Sequence, residues 1–309
     1  MDASIIVCTY NRAASLAETL AALAAQQVPP GLAWEVIVVD NNSRDDTRQT
    51  VAAAVAANPV FRYEFEASQG LSHARNHGIG AARGRTLLFT DDDVCPEPDW
   101  LATVLAEMDR LPCDACGGYI APVWEKPPPA WLTERFHGFL AIRMETRGPF
   151  PITRASEAPF GANMAMRREV LERVGGFDTN RGRKGAVLAS GEDGEMFERI
   201  LAAGYTVMWL PNARVHHKVE AFRVERRYFR RWRYQTSRNL AHARGLPGER
   251  RILGIPPYLG PQTLRAAWNW LTAKLTAPAD EAFNREIILL HFLGTLRGLY
   301  DNYRRGNQR

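Results

Sequence analysis

Apolar and polar positions follow two different periods along the first third of the chain. Ser4–Cys8 is a short, largely apolar run, and Trp34–Val39 is a second one that ends at Asp40. Runs of that length, rich in β-branched residues, predict buried strands. Between them Leu16, Leu20 and Leu23 recur at helical spacing, which predicts a helix over Ala13–Ala25 with Ser15 and Glu18 as a capping box. The same reading gives a helix over Asp45–Ala57, a strand over Val60–Glu66, a helix over Leu71–Ala82 and a strand over Arg85–Thr90. Strands alternating with helices of this length make βαβ units, so the expected class is α/β with a mainly parallel sheet flanked by helices. A short strand is predicted at Thr206–Leu210. From about Arg223 onward the pattern is helical. The prolines between Pro122 and Pro129 read as a rigid loop dividing the chain.

Ligands of such sheets bind beyond the carboxyl ends of the strands. Three predicted strand ends are followed by polar clusters: Thr9-Tyr10-Asn11-Arg12, Asp40-Asn41-Asn42-Ser43 and Asp91-Asp92-Asp93. Parallel strands bring these three together, and that convergence points to a nucleotide site.

The 309 residues allow one large domain or one domain with an appendage. An apolar share of 46% and a charged share of 24% exclude a disordered or fibrous chain. No apolar run of about 18 residues predicts a transmembrane helix. Met1–Tyr10 has no basic stretch or cleavage site of a secretory signal, so the expected compartment is the cytoplasm. Charge is unevenly placed. Between Lys218 and Arg251 there are 11 Lys and Arg against 3 Glu, a local +8 in a chain of net +5. The basic character therefore belongs to one late segment, which suggests an anionic partner. Cys8 reads as a small core residue. Cys113 and Cys116 form a lone C-x-x-C without a second pair, and a structural role is favoured over zinc or redox chemistry.

Several groups could carry chemistry. Three adjacent carboxylates at Asp91–Asp93 repel one another and call for a cation, either Mg²⁺ or Mn²⁺ with oxygen ligands; a solvated acidic turn is the competing reading. Gly191-Glu192-Asp193 precedes a helical pattern, where acidic residues favour a helix N-terminus. A carboxylate there could equally serve as a general base. His216 and His217 follow the strand at Thr206–Leu210, and a neutral imidazole could complete a metal site. Gly161 opens a short apolar run containing Asn163, and a glycine there permits close backbone approach, to a sugar or simply in a turn.

Taken in order, these residues resemble glycosyltransferase family 2, with its GT-A fold, from Ser4 to about Glu220. The matching pieces are I-I-V-C-T-Y-N-R, V-V-D-N-N-S, G-L-S-H-A-R-N-H-G, D-D-D, G-A-N-M-A-M-R, G-G-F-D, G-E-D and H-H-K-V. The resemblance implies a Rossmann-like catalytic domain over 1–220, with a donor half 1–121 and an acceptor half 122–220. A basic, aromatic-rich helical appendage over 221–309 would follow. It implies an inverting, metal-dependent enzyme that moves a sugar from a nucleoside-diphosphate donor, by default a UDP-sugar, to a hydroxyl of a carbohydrate or glycolipid acceptor. Thr9, Tyr10, Asn11 and Arg12 would line the nucleotide and Asp40 would bond the base. Arg75 and Asn76 would sit near the donor. Asp91 and Asp93 match the ends of a D-x-D motif with ribose and metal roles, and Asp92 would share the metal or donor. Asp193 matches the catalytic base, with Glu192, Gly161 and Asn163 near the acceptor or donor sugar. His217 fits the family's metal-binding histidine better than His216, because His217-Lys218-Val219 has the H-x-V form. Arg183 would reach the diphosphate from a loop running through Lys184 and Gly185.

Two rivals stand beside this reading. A nucleotidyltransferase on a similar sheet would carry a glycine-rich loop where Thr9–Arg12 stands. A non-catalytic nucleotide-sugar-binding module would not need an intact Asp triplet and Gly-Glu-Asp. The late segment offers Phe229, Trp232 and Arg233 on one helical face, followed by an apolar helical pattern around Ile287–Tyr300. Such helices either pack on each other or lie on an anionic membrane surface, giving a peripheral position on the cytoplasmic face. No nucleic-acid recognition motif accompanies the charge.

Overall fold

The computed structural model describes residues 1–183, 190–244 and 251–306. The chain forms β1 (Ala3–Thr9), α1 (Ala13–Ala24), β2 (Trp34–Asp40), α2 (Thr47–Ala57), β3 (Phe61–Phe65), α3 (Leu71–Ala81), β4 (Thr86–Asp91) and β5 (Val94–Pro96). Then come α4 (Trp100–Arg110), β6 (Ala115–Trp124), β7 (Phe150–Ile152), β8 (Met164–Arg167), α5 (Arg168–Val174), α6 (Glu192–Ala202) and β9 (Val207–Val219). Three long helices close the chain: α7 (Arg226–Arg244), α8 (Leu259–Thr276) and α9 (Ala279–Gly306).

The sheet runs β3-β2-β1-β4-β8-β6-β9-β5, with β7 on β9. The pairs among β1, β2, β3 and β4 are all parallel, as the alternation of strands and helices requires. β8 joins β4 and β6 antiparallel, and β5 and β7 join β9 antiparallel. Side chains along the central strands alternate faces. Ile5, Val7, Val36, Val38 and Leu88 meet Leu16, Leu20 and Leu23 of α1 and Trp100, Leu101 and Val104 of α4. Ile6, Ile37, Val39, Leu87 and Phe89 meet Ala74 of α3, Val170 of α5 and Met196, Phe197 and Ile200 of α6. The sheet is thus apolar on both faces, which is why its strands read as continuous apolar runs. Each large side chain so buried contributes about 1.5–3 kcal/mol.

Two expectations change. The capping box at Ser15 and Glu18 does not form. α1 starts at Ala13, so those residues lie inside it, and the Ala13 N–H donates instead to Asp45 at 3.0 Å, a contact from the β2–α2 loop. The strand expected to stop at Leu210 continues to Val219, with Ala213, Val215, His217 and Val219 on its buried side. His216 and His217 therefore lie within a strand rather than after one. The period-2 signal was present but broken by Pro211-Asn212.

Two compact units are distinguished. One gathers Met1–Val123, the described part of 141–185, and Glu192–Lys218; the other gathers Trp124–Leu140, the described part of 186–191 and the described part of 219–309. The segment Trp124–Leu140 thus folds with the C-terminal helices. There Trp131, Phe136, Phe229 and Phe283 form an aromatic cluster with ring centroids 4.8–6.2 Å apart. α7 packs on α9 through glycines: a Cβ at Gly294 would lie 2.5 Å from the Tyr234 carbonyl oxygen, and one at Gly298 would strike that of Arg238.

Candidate active site

Parallel pairing sets the ends of β1, β2 and β4 side by side. Thr9 lies in register with Asp40, and Cys8 with Asp91. The polar clusters after these strands converge as expected. Asn11 and Asn42 both adopt the left-handed conformation, φ 53° and 66°. Asparagine tolerates this because its short side chain can bond locally. The Asn11 carboxamide accepts from the Arg44 N–H at 2.7 Å, and the Asn11 N–H donates to Ser43 at 2.9 Å, so the loops after β1 and β2 are laced together. Tyr10 is half-buried beside them. Asp40 is buried and accepts from the Ser43 N–H and the Tyr63 hydroxyl, each at 2.9 Å.

The acid triplet is not a solvated turn. Asp92 and Asp93 are buried, and Arg12 reaches them at 3.5 and 3.0 Å. Burial pushes Asp92 up to about 7 against the pull of Arg12. Burial also raises Asp91, with Arg75 opposing and Asp93 adding to the rise. Two protonation states so strained by burial mark a site with more buried carboxylate than its own cations balance. Pairing of Val94 with His217 and Cys95 with His216 sends the two histidines to opposite faces. His217 Nε2 lies 3.4 Å from Asp93 Oδ1, whereas His216 pairs with Glu97 at 3.2 Å. Of the two histidines, His217 is the one beside the triplet.

Arg75, on α3, is the centre of the arrangement. Its buried guanidinium lies 2.7 Å from Asp193, 3.6 Å from Glu192 and 3.9 Å from Asp91. Burial alone would lower its affinity for the proton; Asp193, Glu192 and Asp91 outweigh that and raise it, so the charge is fixed. The Phe177 ring covers it at 5.1 Å. Asp193 is held at both oxygens, since its second one accepts from the Gly161 N–H at 2.9 Å. A Cβ at Gly161 would collide with the Arg75 guanidinium. The close approach expected at Gly161 is therefore made by Arg75. Glu192, at the start of α6, is pushed up to about 7 by burial first and by the charge of Asp193 second. One of its carboxylate oxygens has no hydrogen-bond partner among the described residues.

Two expected ligand-contacting side chains are taken up by the fold. Asn163 donates to the carbonyls of Tyr119 and Ala213 and accepts from the Trp100 indole, so its amide braces β6, β9 and α4. Asn76 grips the backbone of Phe177, donating to its carbonyl at 2.8 Å and accepting from its N–H at 2.7 Å. Both amides brace the backbone around the site. The backbone of Arg183 accepts from the Leu71 N–H at the start of α3, and its charge acts on Glu192. Lys184 and Gly185, the rest of that loop, lie outside the described residues. The sequence reading missed Phe177 and Tyr63. Phe177 stood inside the quoted G-G-F-D; Tyr63 carried no local signal.

A model described as glycosyl transferase family 2 matches residues 4–175, more than half of the chain. The chain belongs to glycosyltransferase family 2. A glucosyl-dolichyl phosphate glucuronosyltransferase of Haloferax volcanii is 31% identical over 229 residues, 73% of this chain and 72% of its own. The mannosyltransferase PcManGT of Pyrobaculum calidifontis, solved with GDP-Man and Mn²⁺, superposes with a TM-score of 0.61 at 22% identity, over 97% of this chain and 87% of that one. S. aureus TarS 1-349, solved with UDP, gives 0.55 at 17% identity, over 99% and 92%. At such identities the two structures speak for the fold, which is GT-A. This family 2 glycosyltransferase is an enzyme, and the readings as nucleotidyltransferase or inert binding module fall away.

Proposed function

We propose that the protein is an inverting, divalent-metal-dependent glycosyltransferase using a nucleoside-diphosphate sugar. The observation that carries this is the buried guanidinium of Arg75, 2.7 Å from Asp193 and 3.9 Å from Asp91. It ties the carboxylate assigned as base to the carboxylates at the donor end of the sheet. Asp193 accepts the proton of the acceptor hydroxyl while that oxygen attacks the anomeric carbon. The bond from that carbon to the diphosphate oxygen breaks, and the nucleoside diphosphate leaves. One displacement inverts the anomeric configuration. General base help of this kind supplies ~10²–10⁴-fold in rate.

Asp91, Asp93 and His217 would hold the metal. Among the described residues no three such groups already converge. The donor chemistry nevertheless fits, because burial raises Asp91 and the imidazole of His217 lies against Asp93. Oxygen ligands with one imidazole suit Mn²⁺, and Mg²⁺ with more water. When bound, the ion supplies Lewis-acid stabilisation of charge on the diphosphate. Thr9–Arg12 and Asp40 would take the nucleoside, Asp92 and Arg183 the rest of the donor, and Glu192 the sugar or acceptor. Asn76 and Asn163 serve as positioning residues.

The donor is assigned as a UDP-sugar and the acceptor as a lipid-linked or polymeric glycan. The glucosyl-dolichyl phosphate in the Haloferax relative's name supports a lipid-linked acceptor, and with it a peripheral position on the membrane. The catalytic part is taken as 1–220 and the basic helical part as 221–309. The test is a calorimetric screen of UDP and GDP with and without Mn²⁺. Metal-dependent binding of UDP over GDP is expected; metal-independent binding or a GDP preference overturns the corresponding half of the assignment.

A further inference from the structure

The late basic helices divide their surfaces unequally. On α7 and α9 several charges are engaged within the unit: Arg230 pairs with Glu286, Arg238 with Asp301, and Arg226 stacks on Trp131 and Phe283. α8 is different. It packs on α9, and its Leu259, Ala266 and Ala273 are buried. On the opposite side Leu264 is 73% exposed, Trp268 68%, Leu271 50% and Leu275 88%. Spacings of four, three and four place these side chains in one stripe. After its first turn, where Leu259 is buried, the helix turns alanines inward and these four large apolar side chains outward, the reverse of a helix built only to pack on a core.

We propose that this stripe of α8 docks on a lipid leaflet carrying anionic headgroups. The inference rests on the peripheral-membrane part of the proposed function and names the surface responsible. At 100° per residue, Arg265 lies on one shoulder of the stripe and Lys274 on the other, and both are exposed. Residues 251–279 contain no Asp or Glu. The occupant must therefore be apolar along the middle and anionic along both margins, which is what acyl chains beneath anionic headgroups present. A second copy meeting this face about a two-fold axis would set cations against cations, with no carboxylate of the stretch to pair them. Eighteen residues span about 27 Å, enough to lie in the interface plane. Among the described residues no helix is long and apolar enough to cross a membrane.

The test is co-sedimentation of the full chain with vesicles of equimolar phosphatidylglycerol and phosphatidylcholine, or of phosphatidylcholine alone, at low salt. Wild type binds the anionic vesicles strongly and the neutral ones weakly. Arg265→Gln/Lys274→Gln weakens partitioning about 30-fold, at one headgroup attraction per charge. Leu264→Gln/Trp268→Gln/Leu271→Gln/Leu275→Gln weakens it on the order of 100-fold or more. Hydrolysis of the donor in solution stays unchanged in both, so a failure of the lipid proposal is separable from a failure of the catalytic one. Should the stripe variant not fold, the charge variant carries the test. Wild type ignoring anionic vesicles, or stripe and charge variants sedimenting like wild type, overturns the proposal. So does light scattering that shows a dimer dispersed by the stripe variant without vesicle binding, which would name a second copy as the occupant.

Discussion

Arg75 and Asp193 stand 118 residues apart in sequence and form a 2.7 Å hydrogen-bonded ion pair in the structure. Asp193 cannot swing freely, because its other oxygen is fixed by the Gly161 N–H. A carboxylate held at both oxygens is oriented in advance, and each oxygen keeps a further lone pair that could accept a proton in the proposed base role. Orientation of this kind lowers a barrier without new contacts at the moment of reaction.

Asp193→Asn is expected to lower turnover ~10²–10⁴-fold with donor affinity little changed. The amide oxygen can still accept from Gly161 N–H, and Arg75 keeps Glu192 and Asp91 as partners, so the fold persists. A transfer assay beside calorimetry with the nucleoside diphosphate checks both halves. Near-normal turnover would remove Asp193 as the base and point to Glu192.

Gly161→Ala should be more damaging than a methyl group suggests. The new Cβ would meet the Arg75 guanidinium, which is pinned by carboxylates and by the Phe177 ring. Overpacking of this sort costs about 1–3 kcal/mol. The expected result is a lowered Tm and a fall in kcat as Arg75 and Asp193 shift together. A variant with wild-type melting and turnover would show that Arg75 yields at little cost.

Glu192 predicts a pH dependence of stability. Its folded-state carboxyl is raised to about 7 by burial and by Asp193, above the ordinary value of 4.5. Between those values the folded state holds a proton that the unfolded state has lost, so this group's contribution to stability falls as pH rises and levels off above about 7. Glu192→Gln removes that loss. Its Tm relative to wild type should therefore climb from about pH 5 to about pH 8, by differential scanning calorimetry. A gap that is constant with pH contradicts the assignment.

Asp93→Ala should abolish most Mn²⁺-dependent binding of UDP. It removes the carboxylate that lies against both Arg12 and His217. Chelation of the metal from wild type should reproduce the loss. Calorimetry showing unchanged metal-dependent affinity in the variant would rule out Asp93 as a ligand.

The sequence alone determined the α/β class, the first four strands with their helices, and the polar clusters at three strand ends. These follow from local periodicity, and parallel pairing of consecutive βαβ strands leaves little freedom in where their ends fall. The ordered motifs also named the family. What required tertiary structure was every relation made by pairing across long separations. The H-x-V form favoured His217 over His216, but that its imidazole lies beside Asp93 is set by the register of β5 against β9. The cap of α1 came from Asp45, on another loop. Asn76 and Asn163 looked available for ligand, and only the fold showed their amides engaged by the Phe177 backbone and by Tyr119, Ala213 and Trp100. The burial that sets Asp92 and Glu192 near 7 belongs to the packed interior, because desolvation depends on what surrounds a carboxyl and not on its sequence neighbours.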